Sequence, residues 1–286
     1  MEHYKFSIII PAYNEETLIT KTLITLLQDN NLHNIELLVI CNGCSDQTFS
    51  KTQSFINENS LSLKNKKIDF LLFETSKASK TNALNIGINN SHGLIKVFID
   101  ADIQICGKDV NLLISELQNK KLKAISPRVN FSFDNSSFWV RQYYRVASLS
   151  FYNANTRLSN VIALSEAGIK QITPLPNVIA DDEYIRRQFT ENERAVSQHC
   201  SLIFLCAKKL KDLIQVLTRV ERGNVQLNRH YNNGHSEKAK QGYYKLPILH
   251  FPTFILIKFI VKIRARIQFA QGRMNQWERD ESNRNN

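Results

Sequence analysis

The sequence predicts an α/β protein built on a doubly wound, mostly parallel sheet, and three observations predict it. Short β-branched or aliphatic runs alternate with amphipathic stretches over roughly the first hundred residues, the rhythm of strand–helix–strand units. Each apolar run passes directly into a polar loop. Four such loops carry amides, carboxylates and lysines, and in a parallel open sheet they lie together at the carboxyl edge, where ligands bind.

Phe6-Ser7-Ile8-Ile9-Ile10 reads as a buried strand stopped by Pro11. Asn14-Glu15-Glu16 offers an N-cap and two acids for a first helical turn. Leu18, Ile19, Leu23, Leu26 and Leu27 then fall on one helix face. Ile35 to Ile40 is a second strand, followed by the loop Cys41-Asn42-Gly43-Cys44-Ser45-Asp46 and a helix from Asp46 to Asn59. Ile68 to Phe73 is a third strand. Its loop, Glu74 to Lys80, holds two lysines and leads into a helix over Thr81–Ile88. Lys96-Val97-Phe98-Ile99 is the fourth strand, running into Asp100-Ala101-Asp102. In an extended segment alternate side chains share a face, so the two acids point the same way. Such a pair repels unless a cation lies between, and Mg²⁺ is typically held by one or two carboxylates plus phosphate oxygens. No GxGxxG or GxxxxGK[ST] is present, which excludes the dinucleotide and P-loop signatures.

Val110 to Leu122 is helical, and Ala124–Ser126 and Val129–Phe133 read as two strands. Ser137 to Arg157 is aromatic and basic; most of its aromatics suit a core, and some suit an acceptor pocket. Asp181-Asp182-Glu183 with Arg186 and Arg187 reads as a helix start, acids at the positive end of the dipole and arginines one turn later pairing with them. Ala195 to Leu205 is a strand. Lys208 to Val220 is a basic helix that Glu221-Arg222-Gly223-Asn224 ends, with Arg219 and Arg222 either solvated or placed for a diphosphate. Arg229 to Gly242 is polar and loop-like. Leu246 to Val261 is apolar, interrupted by Pro247, Pro252 and Lys258, and is followed by Lys262, Arg264, Arg266 and Arg273. Its uninterrupted stretch is shorter than the about 20 residues of an ordinary span. An apolar segment running into a basic one suits a helix lying on an anionic membrane surface; a helix packed on the domain is the plainer alternative.

At 286 residues, 43% hydrophobic and 22% charged, the chain can bury an ordinary core. A formal charge of +11 suits an anionic partner. Nucleic acid is the weakest candidate, because no arginine-rich run or aromatic RNA-binding signature is present. Cys41-x-x-Cys44 has zinc spacing but no second pair, and five cysteines without a framework fit a reducing compartment. The first residues open directly into a strand-like run without a visible signal peptide.

Taken together, Ser7 to Glu16, Val39 to Thr48, Lys80 to Gly87, Asp100-Ala101-Asp102 and Asp181-Asp182 resemble, in order and spacing, the motifs of a family 2 glycosyltransferase of the GT-A fold. The resemblance is close over the first 105 residues, moderate near 182 and loose beyond Val220. It implies a nucleotide-sugar-binding half over 1–105 and an acceptor-binding and catalytic half over 106–245; the apolar-basic C-terminal segment over 246–286 is, on its own composition, the candidate for membrane contact. It implies a nucleotide-sugar donor, often a UDP-sugar, contacted by Pro11, Ala12, Tyr13, Glu15, Asn42 and Asp46. Asn42 stands where the family often has an Asp; an amide can still accept a bond from a uracil N3–H. Lys80 would lie near the diphosphate. Asp100 and Ala101 would face the ribose or the metal, and Asp102 would ligate Mg²⁺ or Mn²⁺. Asp182 matches the catalytic base; Asp181 replaces a more frequent Glu, which leaves the choice within the pair open. Arg186, Arg219 and Arg222 are weaker candidates for the diphosphate or acceptor. The implied reaction is inverting transfer; the basic apolar C-terminal segment and the positive net charge motivate a lipid-linked or cell-envelope acceptor and a cytoplasmic enzyme peripheral on the inner face of the cytoplasmic membrane. Two other readings compete. One is a catalytically silent nucleotide-binding scaffold; the other is a sugar nucleotidyltransferase, whose Gly-rich first loop is absent.

Overall fold

The computed structural model describes residues 4–150, 157–231 and 250–271. The chain forms two compact units. The first takes in the chain up to Arg128 with Leu158–Asn177 and Gln188–Leu202; the second takes Val129–Arg157, Val178–Arg187 and the chain from Ile203. The expected boundary at 245/246 lies outside the described residues.

The first unit is organised on a seven-stranded sheet. Strands β1 (Ser7–Ala12), β2 (Ile35–Asn42), β3 (Ile68–Thr75) and β4 (Lys96–Ile99) are parallel, as expected. β5 (Ala124–Ser132), β6 (Val161–Leu164) and β7 (Arg194–Leu205) complete the order β3-β2-β1-β4-β6-β5-β7. β6 runs antiparallel to both β4 and β5. Every residue of β1, β2 and β4 is buried, the mark of strands covered on both faces. Each buried Ile or Leu there contributes about 1.5–3 kcal/mol.

Helix α1 (Ile19–Leu27) buries Ile19, Leu23, Leu26 and Leu27. α2 (Thr48–Glu58) is followed by a short α3 (Ser60–Asn65), which the sequence reading did not separate. α4 (Lys80–Asn89) packs on β1 and β2 and begins at Ser79, whose hydroxyl accepts the Asn82 N–H. Gly87 permits that packing: a Cβ there would lie 2.4 Å from Ile9 Cγ2. α5 is Gly107–Asn119. At the amino edge of the sheet Glu36 is fully buried. It accepts bonds from Ser7 Oγ (2.5 Å) and from the N–H groups of His92 (2.7 Å) and Gly93 (3.0 Å), with His92 Nδ1 2.8 Å away.

Three local expectations are corrected, and one stretch that carried none is filled. β1 runs through Pro11 to Ala12, because proline at a strand's end removes only one donor. Ala124–Ser126 and Val129–Phe133 are not two strands: β5 is continuous through Pro127 and Arg128. β6 and α7 (Glu166–Ile172) come from a stretch that gave no clear pattern, since four residues are too few to show a period. Finally, α9 (Leu210–His230) does not end near Gly223. That glycine sits mid-helix because Ala180 approaches it: a Cβ would lie 2.7 Å from Ala180 Cβ.

The second unit packs α6 (Phe138–Ala147), α8 (Asp181–Gln188), α9 and α10 (Phe251–Ala270). Its core joins Val140, Tyr143 and Tyr144 of α6 to Leu213 of α9 and to Phe254, Ile257 and Val261 of α10. Tyr143 stacks on Phe254 at 5.2 Å and Tyr144 on Phe133 at 6.0 Å, so these aromatics are core. Phe151 and Tyr152 lie outside the described residues, as does most of the expected polar loop 229–242; Arg229 and His230 belong to α9.

Candidate active site

The strand order reverses between β1 and β4, because β2 and β3 build outward on one side of β1 and β4 adds on the other. In open α/β sheets the crevice outside the carboxyl ends at such a switch point is where ligands bind. Here it is framed by the loops after β1, β2 and β4.

The first two loops are knitted together. Asn14 does not cap a helix: it adopts φ +53°, and its Oδ1 accepts the Ser45 N–H at 2.7 Å. The Glu15 N–H donates to Thr48 Oγ1 (2.7 Å), and the Glu16 N–H to Asp46 Oδ2 (3.1 Å). Glu16 Oε2 returns a bond to the Gln47 N–H at 3.0 Å. Asp46 Oδ1 also holds the Thr48 N–H and hydroxyl, at 3.0 and 2.5 Å. The acids expected in a first helical turn therefore brace the loops, and α1 begins only at Ile19. Cys44 belongs to the same brace: its thiol donates to Ala12 O (3.3 Å) and its sulfur accepts from Asn14 N–H (3.4 Å). Its bond to Cys44, together with burial, holds the Cys41 thiol well above the usual range. The bracing by Thr48 and Cys44 was missed; the signal was the spacing Asp46-x-Thr48, a local side-chain-to-backbone motif.

Pro11, Ala12, Glu15 and Asn42 are buried in this frame, and Tyr13 is half-buried. Asn42 is 3% exposed, yet its Oδ1 has no hydrogen-bond partner among the described residues. A buried acceptor left unmet costs about 1–3 kcal/mol, so a donor that reached it would be favoured.

The third and fourth loops meet through an ion pair. Lys80 Nζ, at the first position of α4, lies 2.7 Å from Asp100 Oδ1. Asp100-Ala101-Asp102 is not extended: Ile103 N–H bonds to Asp100 O at 3.0 Å, closing a turn. Alternation therefore does not apply to this pair. Ala101 is buried, its carbonyl held by Thr22 Oγ1 at 2.7 Å, whereas Asp102 is exposed. The turn gives the two carboxylates different surroundings. Among the described residues no group of three or more His, Cys, Asp or Glu side chains converges as a metal-ligand set, the Cys41–Cys44 pair included.

The remaining candidates belong to the second unit. Asp181, Asp182 and Glu183 occupy the first turn of α8, where the helix dipole favours carboxylates. Asp181 is buried and Asp182 half-buried. Glu183 anchors both arginines, the pairing one turn on that the sequence predicts. It accepts Arg186 Nε and Nη2 at 2.7 and 2.8 Å and Arg187 Nε at 2.8 Å. Arg187 also donates to Asn228 Oδ1 of α9 at 2.8 Å. Arg222 is 1% exposed, so the solvated alternative fails for it; Arg219 is half-buried. Gly223, next to Arg222, meets Ala180, the residue before Asp181.

A sheet with this order and a switch-point crevice of this make-up defines a nucleotide-using α/β enzyme. Residues 7–169, more than half of the chain, match the family model described as Glycosyl transferase family 2; the chain belongs to that family and is a glycosyltransferase. It is similar to Glycosyltransferase AglE of Haloferax volcanii, 23% identical over 229 residues covering 77% of this chain and 73% of the relative. It is also similar to dodecaprenyl-phosphate galacturonate synthase of Rhizobium johnstonii, 22% identical over 124 residues. That match covers 43% of this chain and only 35% of the relative. Among solved structures, mannosyltransferase PcManGT from Pyrobaculum calidifontis, in complex with GDP-Man and Mn²⁺, superposes with a TM-score of 0.59 at 17% identity, covering 96% of this chain and 77% of that one. Residues 1–349 of S. aureus TarS, in complex with UDP, give 0.52 at 15% identity, covering 95% and 73%. The shared fold is GT-A.

Proposed function

We propose that the chain is an inverting, metal-assisted glycosyltransferase that moves a sugar from a nucleoside-diphosphate donor, a UDP-sugar by preference, to a hydroxyl of a lipid-linked or cell-envelope acceptor. The observation that carries this is the switch-point edge, where an unmet buried acceptor, a lysine–carboxylate pair and an exposed carboxylate stand on braced loops. Asn42 Oδ1 suits the N3–H of a uracil ring, with Pro11, Ala12, Tyr13 and Glu15 beside the nucleotide. Lys80 would neutralise the diphosphate while fixing Asp100.

Asp102, assisted by Asp100, would hold a divalent cation. Two carboxylates, with no third His, Cys, Asp or Glu converging on them among the described residues, would suit a hard ion, Mg²⁺ or Mn²⁺. Such an ion supplies charge stabilisation to the departing diphosphate. The neighbour in complex with GDP-Man and Mn²⁺ supports the ion, and the one in complex with UDP supports the donor class.

Asp182 would take the proton of the acceptor hydroxyl, with Asp181 beside it. The hydroxyl oxygen bonds to the anomeric carbon as the bond to the diphosphate oxygen breaks on the opposite face, and the configuration inverts. Asp182 stands half-buried in the first turn of α8, a position that suits a carboxylate. Arg186, Arg219 and Arg222 would add positive charge toward the leaving group or the acceptor, with the second half of the chain, 106–245, as the acceptor side. A lipid-linked acceptor is supported by the relative named dodecaprenyl-phosphate galacturonate synthase. Such an acceptor would suit an enzyme in the cytoplasm, peripheral on the inner face of the cytoplasmic membrane.

A screen of nucleotide-sugars with Mn²⁺ tests the reading without an acceptor, because slow donor hydrolysis needs none. Release of a nucleoside diphosphate from one donor, dependent on the added ion, is the expected result. Release of pyrophosphate, or no metal-dependent nucleotide binding by calorimetry, would overturn it.

A further inference from the structure

We infer that the outward face of α10 is a docking surface for an anionic lipid bilayer. The helix is apolar on two opposite sides. Phe254, Ile257, Val261 and Ala265 face inward and are buried against the second unit. At about 100° per residue, a second set centres about 160° around the helix from them. It consists of Ile255, Leu256, Phe259, Ile260, Ile263 and Ile267, exposed by between 39% (Ile260) and 61% (Phe259). Exposed apolar residues scattered singly need no explanation; six contiguous ones on a single helix face do.

The charges identify the occupant. α10 carries Lys258, Lys262, Arg264 and Arg266 and no acid. On the helical projection Lys262 borders one side of the outward apolar set, Arg264 borders the other, and Arg266 lies within its edge; Lys258 Nζ instead lies over the ring of the inward Phe254, 5.8 Å from its centroid. Apolar side chains can then enter the acyl boundary while flanking cations reach lipid phosphates, the arrangement of a helix lying in the interface. A second copy of the chain fits less well, because pairing this face with itself sets three cations against three. Among the described residues no helix is long and apolar enough to cross a membrane, so α10 lies on the surface. Phe138 and Trp139 of α6, 55% and 50% exposed in the same unit, are aromatics of the kind found at such interfaces. The inference deepens the reading of a membrane-borne acceptor and rests on it for the acceptor's location.

The test uses the full chain, without donor or acceptor, in sedimentation with vesicles of phosphatidylcholine alone and of phosphatidylcholine with roughly one-third phosphatidylglycerol. Binding is expected to the anionic vesicles, weakening with salt, and little to the neutral ones. Phe259→Ser with Ile263→Ser, which leaves the inward contacts intact, should lower binding by about tenfold or more. Lys262→Gln with Arg266→Gln should lower it about tenfold on anionic vesicles only. Wild-type-like binding by both double variants overturns the inference. So does a concentration-dependent dimer in light scattering that Phe259→Ser with Ile263→Ser abolishes, which gives the face to a second copy. Donor hydrolysis is measured alongside. Hydrolysis without vesicle binding removes the docking surface alone, and vesicle binding without hydrolysis removes the catalytic reading alone.

Discussion

The strand-end edge of the first unit and the α8–α9 region of the second both hold charged side chains out of water, but by opposite means. At the strand ends, Asn14, Asp46 and Thr48 satisfy backbone N–H groups of neighbouring loops, so polar groups become scaffold. The brace leaves Asn42 Oδ1 unmet and Asp102 exposed. In α8 and α9 the charges neutralise one another: one glutamate holds two arginines whose side chains are 6% and 10% exposed. The first arrangement fixes backbone and presents side chains to a ligand. The second fixes side chains, and its stability depends on each partner being present.

The largest expected effect separates binding from chemistry. Asp182→Asn should lower turnover by about 10²–10⁴-fold, the usual contribution of a positioned base. Donor affinity, set by the first unit, should stay within about twofold in calorimetry, well under the 1.4 kcal/mol that makes a tenfold change. Near-normal turnover would move the base to Asp181 or elsewhere.

Glu183→Ala tests the second arrangement. It leaves Arg186 and Arg187 buried without their shared carboxylate, and breaking such a pair costs about 3–5 kcal/mol. A large drop in the urea midpoint is expected. Glu183→Gln, which keeps acceptor capacity but loses the charge, should fall between the two. An unchanged midpoint for Glu183→Ala would mean that the arginines are stabilised by other groups.

Asn42→Ala probes the unmet acceptor and should behave in the opposite way. The free chain loses an oxygen that has no partner, so the midpoint should shift little. The complex loses a buried bond, so donor affinity should fall by about 1–2 kcal/mol, roughly tenfold. Equal losses of stability and affinity would make Asn42 a packing residue.

How far the sequence could be read follows from the same contrast. The parallel strands, their polar ends and the Asp100–Asp102 region were legible because a strand, its loop and the next helix are local, and the four loops gather wherever the sheet is parallel. The turn at Asp100 was not, since an isolated Asp-x-Asp fits extended and turned backbone alike. Gly223 was misread as a helix end because mid-helix glycine is explained only by Ala180, distant in sequence. The pairing of the α8 acids with the arginines one turn later was legible, because i,i+3 and i,i+4 neighbours are local; that Glu183 alone takes both arginines was not. β6 gave no period, and only its pairing with β4 and β5 makes it a strand.

The smallest effect concerns the amino edge of the sheet, far along the strands from the ligand loops. Burial alone would raise the Glu36 carboxyl; the bonds from Ser7, His92 and the Gly93 N–H outweigh it and hold the group below its ordinary 4.5. A carboxyl lowered in the folded chain contributes stability that is present in full above the unfolded value and lost as pH falls through the folded one. Wild-type stability should therefore decline below pH about 4.5 more steeply than that of Glu36→Gln, which has no proton to take up there. The comparison is of slopes: the variant can be less stable throughout, because an amide nitrogen cannot accept the Ser7 and Gly93 bonds. Urea midpoints of both proteins at several pH values between about 3 and 6 measure it. Parallel curves would show that acid acts at carboxylates elsewhere, with Glu193, drawn down to about 2 by Lys123, the next to examine.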